Sequence, residues 1–90
     1  MMNKKIKISP DVLSQVVSGE TVLLDLKNES YFGLDEVGTR IWQLLLENRD
    51  MESVMETILS EYDVEAEQLR QDLDDLVQKL IEAGLVKIED

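Results

Sequence analysis

The chain has 90 residues, with 20 Asp and Glu against 9 Lys and Arg, a formal charge of -11 at pH 7, and neither cysteine nor histidine. The missing Cys excludes disulfides, thiolate nucleophiles and Cys-based metal sites; the missing His removes the commonest neutral-pH acid–base group and metal ligand. So acidic a surface repels nucleic-acid phosphates and anionic membranes, and favours a basic or neutral partner.

Apolar residues make up 43% of the chain and fall in periodic blocks, as in a folded domain rather than a disordered segment. The expected organisation is one domain over 1–90. No apolar run approaches the roughly 20 residues that span a bilayer. The lysines of Met1 to Ile8 have no apolar stretch behind them to make a signal peptide. The expected location is the cytoplasm, with no membrane and no nucleic acid among the partners.

Lys4 to Ser9 alternates charged and apolar residues, with Ile6 and Ile8 on one face, and reads as a strand. Pro10 interrupts it, and Asp11 to Val17 is an apolar segment that periodicity leaves unassigned. Ser18-Gly19 is a turn. Glu20 to Leu26 is a strand with Val22, Leu24 and Leu26 on one face and Leu23 and Asp25 on the other. Lys27 to Ser30 is a loop of hairpin length, and Tyr31 to Leu34 is the returning strand. Asp35 can cap a helix that carries Val37, Ile41, Leu44 and Leu45 at helical spacing to about Glu47. Asn48-Arg49-Asp50 is a break, with Asp50 a second cap. Met51, Val54, Met55, Ile58, Leu59 and Tyr62 then make an amphipathic stripe. The last helix runs from about Glu65 to Ala83 on Leu69, Leu73, Leu76, Val77, Leu80 and Ile81, with Gly84 as its left-handed stop. Leu85 to Ile88 can add a short strand, and Glu89-Asp90 is expected to fray. Strands followed by helices make an α+β fold.

The run from Tyr31 through Leu45, Tyr-Phe-Gly-Leu-Asp-Glu-Val-Gly-Thr-Arg-Ile-Trp-Gln-Leu-Leu, resembles the strand-to-helix signature of the PqqD-like family. Tyr62-Asp63-Val64, Asp72 and Ala83-Gly84-Leu85-Val86 extend the likeness over most of the chain; Asp35 stands where many relatives carry Asn. The resemblance implies a RiPP recognition element: a winged helix-turn-helix with a three-stranded antiparallel sheet followed by three helices. The Trp-bearing helix and the short freestanding length look most like the leader-binding proteins of lasso-peptide biosynthesis. In that family the leader of a precursor peptide adds as a strand beside the third strand and lies against the third helix. The implied partners are the leader peptide and a separate leader peptidase and cyclase. No cofactor, metal or catalytic activity is implied.

Carried onto this sequence, the implied peptide-binding residues are Tyr31, Phe32, Gly33 and Leu34 on the strand, and Leu69, Asp72, Leu73, Asp75 and Leu76 on the helix. Tyr31 and Phe32 alternate across the strand, so one faces the groove or solvent and the other the core; the sequence leaves open which. The leucines serve equally well as core, and a solvated acidic face is the plainer reading of Asp72 and Asp75. Gly38, unfavourable inside a helix, points to close packing of the first helix on its neighbours. Two other functions fit the same fold: presenting a precursor to a radical enzyme that makes a quinone cofactor, or binding DNA. The second wants a basic recognition helix, yet Glu65 to Ala83 offers only Arg70 and Lys79 among many acids. Clustered carboxylates with no His, no phosphate loop and no Asp-x-Asp-x-Asp-Gly run do not make an enzyme or a calcium site.

Overall fold

The computed structural model describes residues 5–47 and 50–89. Lys4, the Asn48-Arg49 part of the break, and Asp90 lie outside them. Among the described residues the order is β1 (Lys5–Ile8), β2 (Val12–Val17), β3 (Glu20–Asp25), β4 (Ser30–Leu34), α1 (Glu36–Leu46), α2 (Met51–Glu61), α3 (Ala66–Glu82) and β5 (Val86–Glu89). The α+β class and the three-stranded antiparallel sheet ahead of three helices are as expected, but the strands of the sheet differ.

The sheet has the order β2-β3-β4, while β1 pairs with β5 in a separate two-stranded ribbon. Thus the Lys4–Ser9 strand does not join the sheet, and the unassigned Asp11–Val17 segment supplies its first strand. A turn and long-range pairing account for both results. Ser18 and Gly19 adopt φ of 54° and 83°, left-handed at both positions of a two-residue loop, as a type I′ hairpin requires. That turn sets Val17 opposite Glu20 and runs the register back to Val12 opposite Asp25. β2 lies at an edge and is mostly exposed, so no core face imposes alternation on its sequence. At the other end, Gly84 (φ 77°) closes α3. Its N–H donates to the Ile81 carbonyl at 3.0 Å, and the Leu85 N–H donates to the Leu80 carbonyl at 2.9 Å. These two bonds form a Schellman motif, and it turns the chain so that β5 meets β1; Glu89, expected to fray, is instead the last residue of β5, paired with Lys5.

The helices begin where their caps stand. The Gly38 N–H donates to Asp35 Oδ1 at 2.8 Å, and the Ser53 N–H donates to Asp50 Oδ1 at 2.8 Å. A Cβ at position 38 would lie 3.2 Å from Asp35 Oδ1 and 3.3 Å from the Leu34 Cβ. Glycine therefore lets β4 turn directly into α1. Leu23, Leu44, Val54, Ile58 and Leu80 are fully enclosed at the centre, and Trp42 is buried beside them.

β3 buries the less apolar of its two faces: Thr21, Leu23 and Asp25 point inward. Asp25 can do so because its carboxylate is occupied locally. It accepts from the Asn28 side-chain amide at 2.8 Å and from the Lys27 and Asn28 N–H groups at 3.1 and 3.3 Å. The Asn28 side-chain bond is the main cause holding the Asp25 carboxyl below the usual range.

Candidate functional site

β4 is the edge of the sheet opposite β2, so among the described residues one side of its backbone has no strand partner. An unpaired row of N–H and C=O groups is a template for another extended segment. Beside that edge runs a groove of about 560 Å³ between β4 and α3. Phe32, Gly33 and Leu34 form one wall and Val37, Gly38 and Ile41 of α1 lie at its base. The other wall is α3 with Val64 just before it, where Leu69 and Leu76 are apolar and Gln68, Asp72, Asp75 and Lys79 are polar. The helical part has the spacing i, i+1, i+4, i+7, i+8, i+11, one continuous stripe along about three turns.

Phe32 is half-buried, packs against the core and lines the groove. Tyr31 is 80% exposed, and its pairing with Leu24, which in turn pairs with Leu13, puts it on the outer face of the sheet. Leu34 is buried in the groove wall. On α3, Leu69, Asp72, Asp75 and Leu76 line the groove, whereas Leu73 is 1% exposed and belongs to the core beneath it. Seven of the nine site candidates thus converge on one groove; Tyr31 and Leu73 stand apart from its lining. The Gln68 side-chain amide donates to Asp72 Oδ1 at 2.9 Å, which holds that carboxylate at the rim.

Val37, Ile41, Val64 and Lys79 line the groove without having been singled out in the sequence. Val37 and Ile41 carry the apolar spacing of a core-facing helix, so periodicity hides a second role. Lys79 could have been found: it stands four residues after Asp75 and so on the same side of the helix.

A second concavity of about 580 Å³ lies along the β1–β5 ribbon, lined by Lys7, Ile8 and Pro10 and by Gly84, Val86 and Lys87. Two opposed lysines and a short apolar wall meet there. The groove beside β4 instead combines an apolar floor, a polar rim and an open strand edge, as sites for an extended peptide do. Among the described residues, no group of His, Cys, Asp and Glu is spaced to hold a metal ion. No described helix is long and apolar enough to cross a membrane.

Residues 20–86 match the sequence model of the PqqD family, described as coenzyme PQQ synthesis protein D. No curated protein matches significantly. Two solved structures are similar over nearly their whole length. TbiB1 in complex with the TbiA(beta) leader peptide shares 41% identity at a TM-score of 0.85, covering 90% of this chain and 94% of that one. Lasso peptide synthetase B1 complexed with the leader peptide shares 28% identity at a TM-score of 0.83, covering 92% and 98%.

Proposed function

The chain belongs to the PqqD family, and from that membership we propose that it captures the leader segment of a ribosomally made precursor, that of a lasso peptide, in the groove beside β4. The observation that carries this reading is the meeting of an unpaired strand edge with an apolar groove rimmed by charge. An extended leader adds to β4, and main-chain hydrogen bonds provide affinity that tolerates sequence. Its inward side chains enter between Phe32 on one wall and Leu69 and Leu76 on the other; Asp72 and Asp75 meet basic groups. Two leader-bound relatives of the same fold, one 41% identical, support it.

On this reading the chain acts as one cytoplasmic recognition domain without chemistry of its own. It presents the captured leader to a separate peptidase and cyclase. A second reading, favoured by the family's own description, keeps the groove and changes the client: a precursor presented to a radical enzyme in quinone-cofactor synthesis. DNA binding finds no support, because the rim of α3 is acidic.

Fluorescence polarisation tests the proposal, using a labelled peptide of the leader encoded beside this gene, with a scrambled leader and duplex DNA as controls. Saturable binding of the native leader alone, with a Kd between about tens of nanomolar and a few micromolar, is the expected result. Duplex DNA bound in its place would overturn it. Co-purification with a lasso peptidase rather than a radical enzyme separates the two client readings.

A further inference from the structure

Charge along the α3 wall of the groove changes sign; on the opposite side Asp35 also lines the groove, with its Oδ1 taken by the Gly38 N–H. Going up α3, the polar lining runs Gln68, Asp72, Asp75, Lys79. At about 1.5 Å per helical residue, Asp72 and Asp75 stand about 4.5 Å apart along the axis, so a cation beside Asp75 feels both carboxylates. Lys79 follows about 6 Å beyond Asp75. Successive side chains on one face of an extended strand repeat every two residues, or about 6.6 Å. The step from Asp75 to Lys79 therefore matches one side-chain repeat of a peptide lying along the helix, with Asp72 deepening the negative field on the Asp75 side. Asp75 and Lys79 are at i and i+4, where a helix permits an ion pair, yet among the described residues neither forms a salt bridge. Both line the groove instead of neutralising each other.

Resting on the leader-binding reading of this groove, we propose that Asp72 and Asp75 together with Lys79 select leaders carrying a basic and an acidic side chain two residues apart on the helix-facing side. The pair thereby fixes the direction in which the leader enters. A free strand edge accepts a partner either parallel or antiparallel, and its main-chain bonds discriminate poorly between sequences. Apolar contacts fix the face, since a slip of one residue turns every side chain over. Neither sets polarity. A leader entering the other way would put its acid against Asp72 and Asp75 and its base against Lys79, and such like-charge contacts are how interfaces reject wrong arrangements.

A charge scan of the leader encoded beside this gene tests this. Each leader position is replaced in turn by Lys and by Glu, and Kd is measured by fluorescence polarisation in low salt. One position is expected to favour Lys over Glu by about three- to tenfold, and a position two residues away is expected to favour Glu, both differences shrinking in high salt. In the double variant Asp75→Lys, Lys79→Asp the preference at the second position, beside residue 79, should invert, and that at the first should weaken. Tight binding of the leader with no Lys–Glu preference anywhere, or preferences unchanged in the double variant, would overturn the charge inference and leave leader capture standing. A leader that fails to bind the wild-type protein would remove both.

Discussion

Leu73 and Leu76 stand three residues apart on the same helix, yet truncating them should damage different properties. Leu73 is 1% exposed and packed in the core, whereas Leu76 is half-buried and lines the groove. Leu73→Ala leaves a cavity that its enclosed surroundings cannot readily fill, a change that costs about 2–5 kcal/mol. A chain of this size holds on the order of 5–13 kcal/mol in all. At about 4–8 °C per kcal/mol for a domain this small, the melting temperature should fall by at least about 8 °C. Leu76→Ala gives up only part of a side-chain burial, about 1 kcal/mol, but it removes apolar surface that a bound peptide would cover. Leader affinity should then weaken about five- to thirtyfold, or about 1–2 kcal/mol. Urea titration gives the stabilities, and polarisation measured well below each unfolding midpoint gives the affinities. Full leader affinity in a folded Leu76→Ala variant would refute the groove assignment. Unchanged stability in Leu73→Ala would refute the partition between core and groove.

The two aromatic residues of β4 should separate in the same assay: Phe32→Ala is expected to weaken leader binding about tenfold, and Tyr31→Ala to leave it within about twofold, with stability changed by less than about 0.5 kcal/mol. Gly38→Ala should destabilise by about 1–2 kcal/mol in urea titration, because crowding against Leu34 and the Asp35 cap outweighs the helix propensity gained. Asp25 has a carboxyl held below its ordinary range, chiefly by the Asn28 side chain. Its contribution is therefore full above the unfolded-chain value near about 4 and is lost as pH falls through the lower folded value. Asn28→Ala should flatten that acid limb of a stability–pH profile while leaving its shape above about pH 5 unchanged.

Local chemistry made much of this molecule legible before any coordinates. Asp35 and Asp50 announce α1 and α2 because a short carboxylate can satisfy the free N–H groups of a first turn. Gly84 announces the end of α3 because the left-handed residue of a Schellman motif favours a missing side chain. The stripe on α3 announces an amphipathic helix, and the Tyr31–Leu45 run marks the family. Each signal lies within one continuous stretch of chain.

Tertiary structure decided what lay opposite each element. β1 pairs with β5, some eighty residues away, and no local pattern in Lys5–Ile8 distinguishes that partner from a neighbouring hairpin. Alternation in β3 defined two faces, but the elements packed against the sheet decided which was buried; the Thr21, Leu23 and Asp25 face went inward, with Asp25 satisfied by its own loop. In β4 the same alternation left Tyr31 and Phe32 equivalent until the helices covered one side of the sheet. The groove joins residues 32–34 to residues 64–79 across the domain, so its membership is settled by packing. Periodicity tells which side chains share a face; only the partner placed against that face decides whether it becomes core, groove or surface.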